Sequence, residues 1–357
     1  MSTARKIRWM LEDKYDRLNM YCDSKRECAK YNELFADNIK NSVLSLSEIK
    51  KGQLYYKFNY GKRVCGIWHL FYKMYSGEFD HRYFTVKLMP KLYHFYNNVE
   101  LIKTFEDKNF RATVAEMASV EIPRVLLKRS RGTYFDADNN IIDEEEAKSI
   151  LASEDEYTIV SAVDERRLPP TRIDEFENFI VQKIPETYKC LSDVCPSEMV
   201  KFNVTTYRLD GKIYHVPGVV SLGLNSNEEL NVSIDDSGSF GQYGFVENDF
   251  TKKIIVHPDS NVVLNNYKIK EYTEIIKAAE KIHETVPQLG IITWQFMLSK
   301  EGRPLLIDST ATDFYNLHLS QLLHGQAAFG DNTAEILKWI SVMEKTLRKD
   351  REPELRL

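Results

Sequence analysis

Three polar side chains in the last quarter of the sequence have the types and spacing of a small cation site. Asp308 and Thr310 are separated by one residue at the end of the apolar run Pro304 to Asp308. Alternate residues of a β-strand point to the same face, so both oxygen-bearing side chains would face the same way. Gln295 lies in an earlier strand-like run and would lie near them if the two runs pair. Oxygen ligands of this kind suit a hard cation such as Mg²⁺.

The two runs that carry these residues have the pattern of a β-hairpin. Gly290 to Leu298 alternates around β-branched and aromatic side chains, as a half-buried strand does. The tetrapeptide Lys300-Glu301-Gly302-Arg303 supplies a turn in which the glycine can take a positive φ angle. Pro304 to Asp308 is the returning strand. We therefore predict adjacent antiparallel strands, with Asp308 facing a cleft between two lobes.

The same segment resembles a known protein family. Its motifs G-I-I-T-W-Q-F, E-G-R-P-L-L-I-D-S-T and F-G-D-N-T are similar to those of the sugar-transfer-associated ATP-grasp proteins, which occur with bacterial surface-polysaccharide genes. Shorter matches begin with Phe79-Asp80-His81-Arg82-Tyr83, and the resemblance extends over about residues 40 to 340. It implies an α+β ATP-grasp fold with a helical N-terminal cap. It also implies ATP and Mg²⁺ as cofactors, and ligation of a carboxylate to an amine or a sugar through an acyl phosphate.

The resemblance assigns the metal site residue by residue. The family's first acidic ligand maps to Gln295, its second to Asp308 and its Asn to Thr310. Asp308 is thereby also a candidate catalytic residue. Only one of the three is a carboxylate, and two carboxylates hold Mg²⁺ better because they neutralise its charge. Asp313 and Asn316 lie close in the sequence and could compensate for the missing carboxylate. The other interpretation is that the hairpin is retained for the fold alone.

Five further residues follow from the resemblance as contacts to the nucleotide or the substrate. Lys128, in a basic turn, is expected to contact phosphate, although a solvated turn is the other interpretation. Gln182 and Lys183 lie in the strand that leads to the adenine region of the family. Lys201 and Arg208 are the cations beside the next hairpin, and Arg208 is the second candidate catalytic residue.

Several positions depart from the family pattern. The Lys-Pro pair of the phosphate-binding strand is replaced by Ser161-Ala162, and residues 164–172 that follow contain no glycine. A loop that wraps phosphate with backbone N–H groups needs residues free to adopt unusual φ angles. The family's Asn-Thr-x-Arg motif falls on Val200 to Asn203, without its Asn and Arg. Two hypotheses stay open: an ATP-dependent ligase, or a degenerate ATP-grasp scaffold or binding protein with weak or no ATP turnover.

Composition limits the class of protein and its location. The 357 residues are too many for one core, while 43% hydrophobic and 28% charged residues are ordinary for a globular protein. A net charge of -5 argues against a nucleic-acid partner. No apolar run is long enough to span a bilayer, and five cysteines without a C-x-x-C pair fit a reducing compartment. We expect a cytoplasmic bacterial protein whose partners are a nucleotide, a carboxylate or sugar-linked substrate, and an enzyme of a polysaccharide pathway.

The elements that must position these residues fall into four predicted regions. They are a helical and aromatic cap over 1–105, a small α+β lobe over 106–180, the C-terminal lobe with the hairpin over 181–345, and a charged tail over 346–357. The cap opens with a predicted amphipathic helix at residues 4–20.

Local signals refine the borders of individual elements. Asp107 and Asp143 are each expected to cap a helix. Asn265 or Asn266 is expected to cap the next helix after residue 266. A strand is predicted over Ile122 to Leu127. His283 is expected to be a surface or capping residue rather than a catalyst.

Overall fold

The computed structural model describes residues 45–64, 66–154, 156–162, 176–183, 185, 188–196, 200–246 and 249–350. The helix predicted at residues 4–20, the glycine-free segment 164–172 and tail residues 351–357 lie outside the described residues. The chain divides into two compact units. The first comprises residues 1–92, 249–252 and 318–357, and the second comprises residues 93–248 and 253–317.

The fold is α+β, as predicted. The α-helices are α1 (Leu46–Asn59), α2 (Ile67–Ser76), α3 (Met89–Tyr96), α4 (Val99–Phe105), α5 (Lys108–Met117), α6 (Glu144–Ala152), α7 (Lys189–Ser192), α8 (Tyr272–Glu284), α9 (Tyr315–His324) and α10 (Thr333–Asp350). Short 3₁₀ helices cover Val86–Leu88, Leu264–Asn266 and Gly330–Asn332. Within the described residues, no helix combines the length and the apolar character needed to cross a membrane.

The β-strands form two sheets. They are β1 (Val125–Ser130), β2 (Thr133–Asp136), β3 (Ile141–Ile142), β4 (Tyr157–Ser161), β5 (Phe179–Lys183), β6 (Val200–Leu209), β7 (Lys212–His215), β8 (Gly218–Gly223), β9 (Glu229–Ile234), β10 (Phe240–Val246), β11 (Asp249–Ile254), β12 (Ile291–Leu298) and β13 (Pro304–Thr310). Strand β11 is divided between the two units, and the other strands belong to the second.

The first unit has an aromatic core, which its high content of tyrosine and phenylalanine makes possible. Trp68 and Phe71 of α2 are each 3% exposed. The Tyr72 hydroxyl lies 2.8 Å from Nδ1 of His318. The Gln321 side chain accepts from the backbone N–H of Phe84 at 2.6 Å and donates to its carbonyl at 2.9 Å. These contacts satisfy buried polar groups inside an apolar environment.

The smaller sheet of the second unit has the strand order β3-β2-β1-β5-β4. Helix α6 covers one of its faces, where Ala147 packs with Leu127, Ile159 and Val181. Asp143 caps α6 through the backbone N–H of Glu146, as predicted.

The predicted borders of β1 were wrong. The strand begins at Val125 and continues to Ser130, because Arg129 and Ser130 pair with residues of β2 across a two-residue turn. The turn residues Arg131 and Gly132 both have positive φ angles, of 48° and 81°, which is the geometry of a tight hairpin. Lys128 therefore lies inside a strand rather than in a turn.

The larger sheet carries the predicted hairpin. Within the second unit its strand order is β10-β9-β8-β6-β12-β13, and β7 pairs with the end of β6. Strands β12 and β13 are adjacent and antiparallel, and Gly302 has a φ angle of 79° in the turn between them. This confirms the predicted pairing of the two strands.

Helix α8 packs against the apolar face of the larger sheet, with Tyr272, Ile276 and Ala279 buried on one side. Its predicted cap was wrong. Asn265 and Asn266 lie in the 3₁₀ turn, which ends at Tyr267 because that residue is extended. Helix α8 begins only at Tyr272, without a side-chain cap.

Candidate functional site

The hairpin brings the three predicted metal-site residues onto one face of the larger sheet. Gln295 of β12 lies directly opposite Asp308 of β13, and Thr293 lies opposite Thr310. Residues opposite each other in an antiparallel pair point to the same side. The Thr310 hydroxyl accepts a hydrogen bond from the backbone N–H of Asp313 at 3.2 Å. The expected juxtaposition of these side chains exists.

Arg111, which the sequence analysis missed, contacts Asp308, the only carboxylate among Gln295, Asp308 and Thr310. The guanidinium of Arg111, on α5, forms an ion pair with Oδ1 of Asp308. The Arg111 side chain is 7% exposed and that of Asp308 is 23% exposed. The same carboxylate oxygen accepts the backbone N–H of Ser309 at 2.7 Å. Charge-assisted hydrogen bonds of this kind are roughly twice as strong as neutral ones.

The position of Arg111 follows from the amphipathic pattern of α5. Asp107 caps the helix through the backbone N–H of Asn109, as predicted. Arg111, Val114 and Ala115 follow at helical spacing, and all three are buried. An arginine on the apolar face of a helix needs a buried partner, and that was the signal available in the sequence.

The chain segment that follows α5 fixes the helix beside the hairpin. Glu121 forms a parallel bridge with Leu305 of β13, and its carbonyl accepts the backbone N–H of Leu306 at 2.8 Å. Leu305 and Leu306 precede Asp308 on the same strand. The register of this contact therefore holds the helix next to the strand that carries the carboxylate.

The residues at the hairpin do not fit a divalent metal ion. Among Gln295, Asp308 and Thr310, one side chain is charged, and its charge is already neutralised by Arg111. Mg²⁺ binding in proteins rests on carboxylates that compensate its charge. Two like unit charges about 4 Å apart repel each other by about 4 kcal/mol at an effective dielectric constant of about 20. A metal ion beside the guanidinium would meet this repulsion for each of its charges.

The same face of the sheet continues as a row of buried polar side chains. The hydroxyls of Thr205 and Thr293 lie 2.8 Å apart. Asn203 donates to the Ser221 hydroxyl at 2.9 Å, and that hydroxyl donates to Asn231 at 2.7 Å. Oδ1 of Asn203 has no hydrogen-bond partner among the described residues. A buried row of this kind indicates a surface adapted to polar groups rather than a second apolar core.

Lys201 lies on this polar face at the far end of β6, and it is engaged by an acid. Its ammonium forms an ion pair with Glu229 of β9, and each side chain is 26% exposed. Ser221, on the strand between them, lies opposite Lys201 in the register. The predicted nucleotide contact is thus paired within the sheet.

Arg208 lies on the opposite face of β6 from Asp308. Alternation along β6 places Thr206 and Arg208 on the side of α8, away from Asn203 and Thr205. The Arg208 guanidinium donates to the carbonyl of His283, at the end of α8, at 2.6 Å. Burial lowers the pKa of Arg208 from its usual value. The structure does not bring the two candidate catalytic residues together.

His283 is fully buried, so its expected place at the surface was wrong. Its Nε2 lies 2.8 Å from the carbonyl of Leu289, and its Nδ1 lies 2.7 Å from the hydroxyl of Thr206. That hydroxyl also accepts from the indole N–H of Trp294 at 2.8 Å. A neutral imidazole that donates from Nε2 to the Leu289 carbonyl and accepts at Nδ1 from the Thr206 hydroxyl satisfies all of these contacts. Burial lowers the pKa of His283 to about 4.

The predicted nucleotide contacts of the smaller sheet lie on two different faces. Lys128 lies opposite Ile180 of β5, so the two side chains point to the same face of the sheet. Gln182 points to that face as well, and α6 covers the other face. Lys128 donates to the Asn139 side chain at 2.8 Å, and burial lowers its pKa. Lys183 points to the other face, where its ammonium lies 3.4 Å from the Glu154 carboxylate. Lys128 and Gln182 can face one ligand, whereas Lys183 is held on the side of α6.

Comparison with known families identifies the C-terminal half of the chain. Residues 170–335 match the family model described as sugar-transfer associated ATP-grasp. Over these residues the chain is similar to that family. The match includes β6, the hairpin and α8. The expected extension of the resemblance to about residue 40 stays a prediction.

Several solved enzyme structures show a weak likeness to this chain. An L-amino acid ligase from Bacillus licheniformis has 11% identity and a TM-score of 0.36, with 63% of this chain and 43% of that one covered. A D-Ala:D-Ser ligase from Enterococcus faecalis has 13% identity and a TM-score of 0.39, with 66% of this chain and 60% of that one covered. A biotin carboxylase from Campylobacter jejuni has 12% identity and a TM-score of 0.42, with 68% of this chain and 46% of that one covered. The alignments cover about half the length of these structures. No curated protein sequence matches the chain.

Proposed function

We propose that this chain is an ATP-grasp protein that serves as a binding protein or scaffold and turns ATP over slowly or not at all. The family match supplies the fold and the expectation of a nucleotide site. The arrangement of the charged residues supplies the expectation of weak chemistry. The family name also supports a place in bacterial surface-polysaccharide biosynthesis, where a glycan precursor or a partner enzyme would be bound.

One observation carries this proposal: the charged residues expected to serve ATP do not converge. Lys201 is paired with Glu229, and Lys183 is paired with Glu154. Arg208 lies on the other face of its sheet from the hairpin residues. Catalysis of phosphoryl transfer depends on fixed cations and donors aimed at one developing charge. Cations that are spread over several faces and engaged with internal partners supply little of that stabilisation.

Two changes recorded in the sequence act in the same direction. The lysine of the family's phosphate-binding strand is Ser161, which is 4% exposed on the face of α6. The first acidic position of the metal site is Gln295. Both changes remove charge from the site, so both weaken the transition state that an acyl-phosphate mechanism requires.

The proposal is tested by measuring ADP release and nucleotide binding with the full chain. Calorimetric titration with ATP, with and without Mg²⁺, reports binding. ADP release is then followed with candidate carboxylates and amines, alone and in pairs. We expect measurable binding at most, and ADP release close to the uncatalysed background. Robust ADP release that is lost in Asp308→Asn would overturn the proposal.

The second candidate function is an active carboxylate–amine or carboxylate–sugar ligase. The polar row across β6, β8 and β9 favours it, because Asn203, Ser221 and Asn231 present buried amide and hydroxyl groups to a polar ligand. ATP would phosphorylate the carboxylate, and the amine or sugar hydroxyl would displace phosphate. ADP release that requires both a carboxylate and an acceptor separates this function from the scaffold. The location in the bacterial cytoplasm stays a prediction under either function.

A further inference from the structure

Arg111 stands beside the hairpin carboxylate, where a divalent cation would be expected from the family resemblance. Its guanidinium contacts Oδ1 of Asp308, and Gln295 lies opposite that residue on the neighbouring strand. We infer that the guanidinium of Arg111 takes the place of a metal ion beside Asp308, and that the hairpin does not bind a metal ion. The positive charge that neutralises Asp308 is covalently part of the chain.

Burial and anchoring make this arginine a fixed feature rather than a surface ion pair. The Arg111 side chain is 7% exposed, and a second nitrogen of its guanidinium lies 3.5 Å from the Glu106 carbonyl. The helix that carries it is tied to β13 through the bridge between Glu121 and Leu305. Removing one partner of a buried ion pair leaves an uncompensated buried charge, which is strongly destabilising.

The other two predicted ligands do not compensate a metal charge, and within the described residues no group of three or more His, Cys, Asp or Glu side chains could hold a metal ion. Gln295 offers a neutral amide, and Thr310 offers a hydroxyl that already accepts from the backbone of Asp313. The pair of Asp308 and Arg111 is neutral as a whole. A divalent ion at this carboxylate would lie beside the guanidinium of Arg111, whose positive charge repels it. The charge of the carboxylate is therefore already compensated by Arg111.

This inference concerns the cation at the hairpin and does not depend on the proposed function. An active ligase with metal ligands elsewhere in the chain would leave it intact. A chain without ATP turnover could still hold a metal ion at Asp308, and in that case the inference alone would fail. The two proposals are therefore tested by different measurements.

Mn²⁺ binding to the full chain, followed by electron paramagnetic resonance, tests the inference directly. The wild type and Asp308→Asn should bind Mn²⁺ equally, with no site that depends on Asp308. In Gln295→Asp a second carboxylate is added while Arg111 remains. In the double variant R111Q/Q295D the guanidinium is also removed, and Mn²⁺ should bind about tenfold tighter than in Q295D alone. Adding Asp308→Asn to the double variant should abolish that gain.

The matched control is R111K/Q295D, which keeps a positive charge beside Asp308. It should bind Mn²⁺ no more tightly than Q295D. Circular dichroism and a thermal midpoint establish that each variant is folded. If R111Q/Q295D is unfolded, the comparison of the wild type with Asp308→Asn still decides, because an equal affinity supports the inference. An Mn²⁺ site in the wild type that disappears in Asp308→Asn overturns it, as does equal affinity of folded R111Q/Q295D and Q295D.

Discussion

Acidification should destabilise the second unit through His283. Its pKa is about 4 in the folded chain because burial disfavours the charged ring, against about 6.5 in an unfolded one. Between these values the unfolded state binds more protons, so the free energy of unfolding falls as the pH falls. The full effect of a shift of about 2.5 units is about 3.4 kcal/mol. Between about pH 7.5 and about pH 5 the loss is about 2 kcal/mol.

The hydrogen bonds of His283 give this loss its physical reason. Its Nδ1 accepts from Thr206, whose own oxygen accepts from Trp294. Protonation of Nδ1 requires the Thr206 hydroxyl to turn its hydrogen away from the ring, and it also charges a ring that is 0% exposed. Both changes disfavour the folded state.

The assay is urea unfolding at the two pH values, compared between the wild type and His283→Gln. Glutamine is polar but does not titrate in this range. The difference in unfolding free energy between the two pH values should be smaller in the variant by about 2 kcal/mol. His69 and His318, whose pKa values burial also lowers to about 4, are present in both proteins and cancel. An identical pH dependence in the two proteins would refute the reasoning.

Three other substitutions have clear expected outcomes. Asn97→Ala should lower the unfolding free energy by about 3 kcal/mol in denaturant titrations, because the buried amide makes four hydrogen bonds to backbone groups of the hairpin region; an unchanged stability would contradict it. Gly238→Ala should cost about 2 kcal/mol or more, since its φ is +85° and a Cβ would lie 1.8 Å from the Ile269 carbonyl oxygen. Its matched control, Gly211→Ala, has a positive φ but no atom within 4 Å, so a smaller loss is expected there. Lys128→Ala should weaken ATP binding about tenfold in calorimetry, and an unchanged affinity would reject Lys128 as a phosphate contact.

Features set by neighbouring residues could be predicted from the sequence. The hairpin around Gly302 and the caps at Asp107 and Asp143 depend on turn and capping rules that act over three or four residues. The proximity of Gln295 to Asp308 followed from the alternation of side chains along two paired strands. The predicted domain boundaries stay a prediction.

Features set by distant residues could not be predicted in the same way. Arg111 and Asp308 are 197 residues apart, and no local pattern names their partnership. His283 reads as a polar residue at a helix end, but its burial depends on Thr206, which is 77 residues away. The late start of α8 depends on an extended backbone at Tyr267 that the two preceding asparagines do not reveal. Contacts between side chains that are distant in the sequence determine which groups at the site are charged or paired. Local spacing determines only the strands and helices that carry them.

The pairing of early with late residues in the first unit has a consequence for synthesis on the ribosome. Phe84 and Gln321 are 237 residues apart, and the hydroxyl of Tyr60 contacts Glu344, which lies 284 residues further along. At about 5 to 20 residues per second, about 12 to 50 seconds pass between the emergence of the first pair's two members. During that interval the aromatic side chains of α1 and α2 lack the later half of their core. We therefore expect the nascent chain to bind chaperones that cover exposed apolar segments during this interval.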